Sequence, residues 1–182
     1  MIPFARGKSR SLSIEAIVQR MNDLSLQGVN EMVLTGVHIG DYIDESSGEK
    51  LVLEDLVEAV LTKTKVPRIR LTSLEPIELS ERLLKLYKNN PRLCAHFHMS
   101  IQSATTKTLA AMKRKYTSQE VSESLINIKK ILPNAFVGMD VIVGFPGESE
   151  EEFLDTYNRL ENLPWTQTVS YTHLTLPTIC SV

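Results

Sequence analysis

Cysteine is scarce in this sequence. There are two among 182 residues, Cys94 and Cys180, far apart and without CxxC spacing. That excludes a disulfide framework and a self-contained zinc or iron–sulfur site, and it suits a reducing cytoplasm. Long apolar runs are missing too, and none approaches the roughly 20 residues that a membrane helix needs. Arg6, Lys8 and Arg10 stand near the N-terminus without the apolar stretch of a secretory signal. Neither sign of charge dominates: 20 basic side chains against 22 acidic leave a formal net charge of -2. Any contact with a polyanion must therefore come from a local patch. No Gly-x-x-x-x-Gly-Lys pattern occurs, which argues against a nucleotide hydrolase. No fixed-period repeat or low-complexity tract is present.

What remains is a regular alternation of elements. Ser13 can cap a helix whose apolar positions Ile14, Ile17, Met21 and Leu24 recur at helical spacing, with Gly28 placed to stop it. Residues 29–37 (VNEMVLTGV) have the bounded, β-branched look of a buried strand. Leu53, Leu56, Val57, Val60 and Leu61 mark a second helix, and residues 68–74 (RIRLTSL) a second strand. A third helix around Leu83 to Tyr87 precedes a third strand over 94–101 (CAHFHMSI). That strand sets Ala95, Phe97, Met99 and Ile101 on one face and His96, His98 and Ser100 on the other. A short helix over 106–112 follows. The pairs Thr117/Glu120 and Ser149/Glu152 are capping boxes for two longer helices, with Pro133 closing the first of them. Between those helices, residues 135–145 (AFVGMDVIVGF) form a fourth strand. Strands that alternate with helices imply parallel sheets and an α/β class, either a (βα) barrel segment or a doubly wound sheet.

In either architecture ligands collect at the carboxyl ends of the strands. Glu75, between Leu74 and Pro76, is extended and either points into the mouth of the sheet or is a solvated loop carboxylate. Gln102 and Ser103 follow the third strand. Asp140 lies within an apolar strand, so it is either hydrogen-bonded at an interior site or faces outward at an end. His96 and His98 share a face, but no third metal ligand is evident. Polar packing or a hydrogen bond to a ligand therefore competes with metal binding. Lys113, Arg114 and Lys115 beside Tyr116 have the composition of an RNA backbone contact, and equally of a solvated helix end.

Taken in order, IPFARG, LTGVHIGDY, RLTSLEP, HFHMSIQS, MKRKYT and DVIVGFPGE resemble the radical S-adenosylmethionine (SAM) methylthiotransferases that modify tRNA, most closely the branch acting on threonylcarbamoyladenosine next to the anticodon. The resemblance covers residues 1–167 and implies the central part of a partial (βα) barrel of the radical SAM type, incomplete at both ends. It also implies two cofactors, SAM and a [4Fe-4S] cluster whose ligand cysteines lie upstream of Met1. In the whole enzyme the SAM-derived 5'-deoxyadenosyl radical takes hydrogen from C2 of the adenine before methylthiolation; the chain alone is expected to be inactive. The residues it implies for SAM are Gly36, Glu75, Gln102, Ser103 and Asp140, with Lys113, Arg114 and Lys115 toward the tRNA anticodon region. Where the family reads Gln-Ser-Gly, this chain has Gln102-Ser103-Ala104. Residues 168–182 resemble translated sequencing-adapter read-through and are set aside from the fold. Two rival readings stay open, a noncatalytic RNA-interaction module and an unrelated (βα) barrel enzyme acting on a phosphorylated small molecule.

Overall fold

Ser13 caps the first helix: its Oγ accepts from the Ala16 amide at 3.2 Å, and α1 (Ile14–Leu26) runs until Gly28 turns the chain at φ 87°. The computed structural model describes residues 9–36 and 38–171, so the IPFARG segment, Val37 and everything past Tyr171 lie outside the described residues. After α1 come β1 (Glu31–Leu34), α2 (Leu53–Lys63), β2 (Arg68–Leu71), α3 (Glu81–Asn89), β3 (His96–Gln102), α4 (Thr106–Ala111), α5 (Ser118–Ile131), β4 (Phe136–Ile142), α6 (Glu150–Glu161) and β5 (Gln167–Tyr171). The class is α/β, as expected. Its strands form two parallel sheets, β1-β2 and β3-β4-β5, with no closed barrel among the described residues. Two compact units divide the chain, Met1–Leu74 with Ser80–Ala95 and Glu75–Leu79 with His96–Val182.

In the first unit β1 and β2 run in register from Glu31 opposite Arg68 to Leu34 opposite Leu71. On the far edge of β2, Ile69 donates to the Arg92 carbonyl and accepts from the Cys94 amide, both at 2.8 Å. The third strand, expected from residue 94, thus has its first residues tied to β2, and β3 begins at His96. Leu56, Val57, Val60, Ile69, Leu71, Leu83 and Leu93 fill the core at 2% exposure or less. Each such side chain contributes about 1.5–3 kcal/mol by leaving water. Arg92 closes the C-terminal end of α2 by donating to the carbonyls of Leu61 and Val66, each at 2.8 Å, and to Thr64 Oγ1 at 3.1 Å.

Asp44 performs the matching task for α1. Its carboxylate accepts from the Ile14 amide at 2.7 Å and from the Ser46 amide at 2.9 Å. These bonds, the one from Ile14 above all, hold its carboxyl below the ordinary aspartate range. A group with a depressed folded pKa stabilises the fold above its unfolded value, and the stabilisation is lost as pH falls through the folded one. Acid titration of stability should therefore show a loss beginning near pH 4 and deepening below it. Asp44→Asn, which cannot titrate, should flatten that limb; an unchanged acid limb would show that Asp44 does not hold α1.

In the second unit the order β3-β4-β5 is parallel throughout. Along β3 burial alternates as the sequence requires, with Phe97, Met99 and Ile101 at 0% exposure and the other side chains half-buried. Both capping boxes form. Thr117 and Ser149 accept from the amides of Glu120 and Glu152, whose carboxylates accept in return from the amides of Thr117 and Ser149. Residues 168–171, the first of the segment set aside from the fold, are extended together with Gln167 in β5, which pairs Gly138–Ile142 of β4. All five residues of β5 are exposed. The strand is held by its ladder rather than by packing, and an open parallel edge accepts any β-competent segment in that way. Among the described residues no helix is long and apolar enough to cross a membrane.

Candidate functional site

The strands do not simply run into their helices. In the first unit Ser73, beyond β2, lies at φ 58°; in the second, Gln102 at the end of β3 lies at 61° and Gly144 beyond β4 at 75°. For Ser and Gln this left-handed conformation costs on the order of 1–3 kcal/mol each, and it persists only where the surroundings impose it. Gly36, beyond β1 in the first unit, is exposed, and a Cβ placed on it would come no nearer than 3.8 Å to Ile39 Cα. The chain itself therefore leaves room for a side chain there. Beside it Thr72 Oγ1 donates to Thr35 Oγ1 at 3.0 Å, tying the ends of β1 and β2 together.

At the end of β3 the imposing contacts are visible. Met99 pairs with Met139 but Gln102 pairs with Val141, so Ser100, Ile101 and Gln102 face two residues of β4, a β-bulge. The Tyr116 hydroxyl lies 2.8 Å from the Ser100 carbonyl and 3.2 Å from that of Ile101, sharing its proton between them, and the Ser103 amide donates to Ile101 at 2.7 Å. Ser103 is fully buried. Its Oγ sits 3.1 Å from Thr156 Oγ1 on α6 and accepts from the Thr105 amide, while Thr105 Oγ1 lies 2.9 Å from Thr156 Oγ1. The Ser103 hydroxyl is thus engaged within the protein, whereas the half-buried Gln102 carboxamide makes no hydrogen bond among the described residues.

On the half-open face of this sheet the two histidines part company. His96 stacks on Phe136, with ring centroids 4.7 Å apart, while His98 Nε2 reaches Asp140 Oδ2 at 3.2 Å across β3 and β4. Packing engages the one ring and a contact with a carboxylate the other. Asp140 is the interior, partnered carboxylate of the two alternatives, with a side chain 18% exposed.

Glu75 is buried, which excludes the solvated loop. It is extended at φ -89°, ψ 157°, leads the turn Pro76–Glu78, and accepts from Arg114 Nη1 at 2.7 Å. The basic cluster is accordingly split. Lys113 and Lys115 are exposed, while Arg114 turns inward. Lys113 at φ 59° ends α4 in a left-handed cap, with the Arg114 amide donating to the Leu109 carbonyl at 2.9 Å, and this reversal turns the guanidinium away from its neighbours. Tyr116, the aromatic of the cluster, is 3% exposed and is not available to stack on a base. Burial raises the pKa of its hydroxyl well above the ordinary tyrosine value, so it remains a donor. In the Gly144 to Glu148 loop, the Glu148 carboxylate accepts from the amides of Gly144 at 2.6 Å and Phe145 at 3.2 Å. Those amides are occupied, consistent with the lack of a phosphate-loop signature.

Sequence reasoning had placed Tyr116 with the basic run and had not singled out Thr156. A polar stripe of His98 and Ser100 opposite Asp140 on the next strand was the available signal for the His98–Asp140 pair.

A [4Fe-4S] cluster is held by cysteine thiolates, commonly four. The described residues offer one, the half-buried Cys94, and the sequence a second, Cys180. These residues do not fit the cluster. Reconstituting this chain anaerobically with iron and sulfide should give no stoichiometric cluster absorbance in the visible; its appearance would contradict the thiol count. The Gln102 carboxamide, unbonded among the described residues, and the half-open polar face around Asp140 do suit a small ligand rich in hydroxyl, amino and carboxylate groups.

A profile of the Radical SAM superfamily matches residues 1–160, and the chain belongs to that family. Among its relatives, a tRNA-2-methylthio-N(6)-dimethylallyladenosine synthase of Chromohalobacter salexigens is 33% identical over 178 residues, 97% of this chain and 40% of that protein. A threonylcarbamoyladenosine tRNA methylthiotransferase of Aquifex aeolicus is 38% identical over 175 residues, 96% of this chain and 41% of that protein. A second threonylcarbamoyladenosine tRNA methylthiotransferase, from Bacillus subtilis, is 37% identical over 159 residues, 87% of this chain and 35% of that protein. The chain spans about two-fifths of the length of the curated relatives it matches.

Proposed function

We propose that the whole protein carrying this chain is a cytoplasmic radical SAM methylthiotransferase acting on threonylcarbamoyladenosine next to the tRNA anticodon, its core of the partial (βα) barrel type. In the second unit Gln102 would bind polar groups of SAM directly and Asp140 a hydroxyl or amino group, with Ser103 and Glu75 fixing the surrounding backbone. The assignment of Gly36 to SAM rests on the sequence resemblance alone, and Lys113 and Lys115 would meet RNA phosphates. The observation that carries this is Gln102 itself, a carboxamide without a hydrogen-bond partner among the described residues, held in a left-handed conformation at the carboxyl end of a parallel strand. The threonylcarbamoyladenosine branch is favoured by the 37–38% identity of the relatives bearing that name, against 32–35% for the dimethylallyladenosine ones.

The test is nucleoside mass spectrometry of tRNA from a host lacking its own threonylcarbamoyladenosine methylthiotransferase and supplied with the whole protein. A methylthio group on threonylcarbamoyladenosine is expected. Its appearance on dimethylallyladenosine would move the protein to the other branch, and its absence from both, with tRNA binding intact, would favour the noncatalytic RNA-interaction module. A second expectation concerns the RNA face. Lys115→Ala should weaken tRNA binding and lower the slope of log affinity against log salt by about 1, leaving SAM affinity unchanged. An unchanged slope would remove Lys115 from the RNA contact.

A further inference from the structure

We infer that Tyr116 is a positioning residue for SAM binding: by bonding the two carbonyls displaced at the β3 bulge, it holds Gln102 in the conformation that aims its carboxamide at the ligand. The inference rests on the assignment of Gln102 to SAM and goes beyond it, because Tyr116, at 3% exposure, is too buried to touch a small molecule or a base.

The geometry is that of a clamp with two jaws. From one side comes the Tyr116 hydroxyl, at 2.8 and 3.2 Å from Ser100 and Ile101. From the other, Thr156 of α6 fixes Ser103, the residue after Gln102, at 3.1 Å, and Thr105 closes the triangle at 2.9 Å. A bulge places one residue outside the ladder, and carbonyls left there need another donor. Tyr116 supplies that donor from the residue that follows the basic run. Without it, the backbone around Gln102 is free to return toward the right-handed or extended regions that a non-glycine residue prefers. The carboxamide would then move with it. A core tyrosine whose role was packing alone would need no hydroxyl at this point.

The test uses the cluster-bearing holoenzyme and equilibrium SAM binding well below the melting temperature, where a modest loss of stability does not change the folded fraction. Tyr116→Phe keeps the ring and removes one oxygen, and should weaken SAM binding about three- to tenfold. It should also speed hydrogen exchange at the Ser103 amide, which bonds the Ile101 carbonyl inside the bulge. Thr156→Val should act in the same direction, and Thr156→Ser, which keeps the hydroxyl, should restore affinity. Gln102→Ala runs alongside. If Gln102→Ala weakens binding while Tyr116→Phe and Thr156→Val bind as the unmodified protein does, the positioning role is overturned and the Gln102 assignment stands. If Gln102→Ala also binds normally, both fall together.

Discussion

Replacing Arg114 with alanine should lower the stability of the second unit by about 3 kcal/mol, the low end of what removing one partner of a buried ion pair costs. The low end applies because the Arg114 side chain is 33% exposed and its partner Glu75 only 8%. Water can screen the guanidinium but hardly reaches the carboxylate. The change removes the guanidinium that bonds this buried carboxylate, and the turn Pro76–Glu78 that Glu75 leads loses its tie to the segment after α4. Arg114→Lys should recover only part of the loss, since a lysine ammonium is a more strongly hydrated charge on a differently shaped side chain and does not reproduce the Nη1 contact made here. Chemical denaturation of the three proteins separates this from an RNA role. An exposed phosphate contact would leave stability within about 0.5 kcal/mol of the original, and a result in that range would return Arg114 to the basic cluster.

That prediction turns on a feature the sequence concealed. Lys113, Arg114 and Lys115 read as one run of charge, and nothing in their identities marks Lys113 as the left-handed cap that reverses the chain and sends Arg114 inward. Glycine announces such a position; lysine, serine and glutamine do not. Ser73 and Gln102 were hidden in the same way, and beyond β2 the expected strand overran its ladder toward Ser73. Residues 29–37 and 68–74 keep their β-forming composition past Leu34 and Leu71, where the ladders stop. The helices were more legible because their boundaries are written in side-chain chemistry. Ser13, Thr117 and Ser149 each accept the amide bond expected of a cap. The alternation of β3 was legible as well, since a period of two fixes which side chains share a face. What the sequence did not carry was long-range partnership. Tyr116 with the bulge and Thr156 with Ser103 are joined only by the fold, as is β5 with β4.

Gln102→Ala should weaken SAM binding by about 1–3 kcal/mol, about five- to a hundredfold, with the cluster of the holoenzyme intact. The carboxamide offers two donors and an acceptor, and the protein uses none of them among the described residues. A strained, half-buried amide without a partner among the described residues has hydrogen-bonding capacity to offer a ligand, and the carboxyl ends of β3 and β4 are where a parallel sheet receives one. Because a carboxamide is not among the cysteine ligands of such a cluster, the loss should leave the iron and sulfide content unchanged. Truncation to alanine also relieves no strain, since alanine disfavours the same left-handed region.

Titration of the holoenzyme with SAM, comparing the unmodified protein with Gln102→Ala at equal cluster content, tests the central claim most directly. Saturable binding that weakens at least fivefold in the variant is the expected result; equal affinity in the two proteins would contradict it.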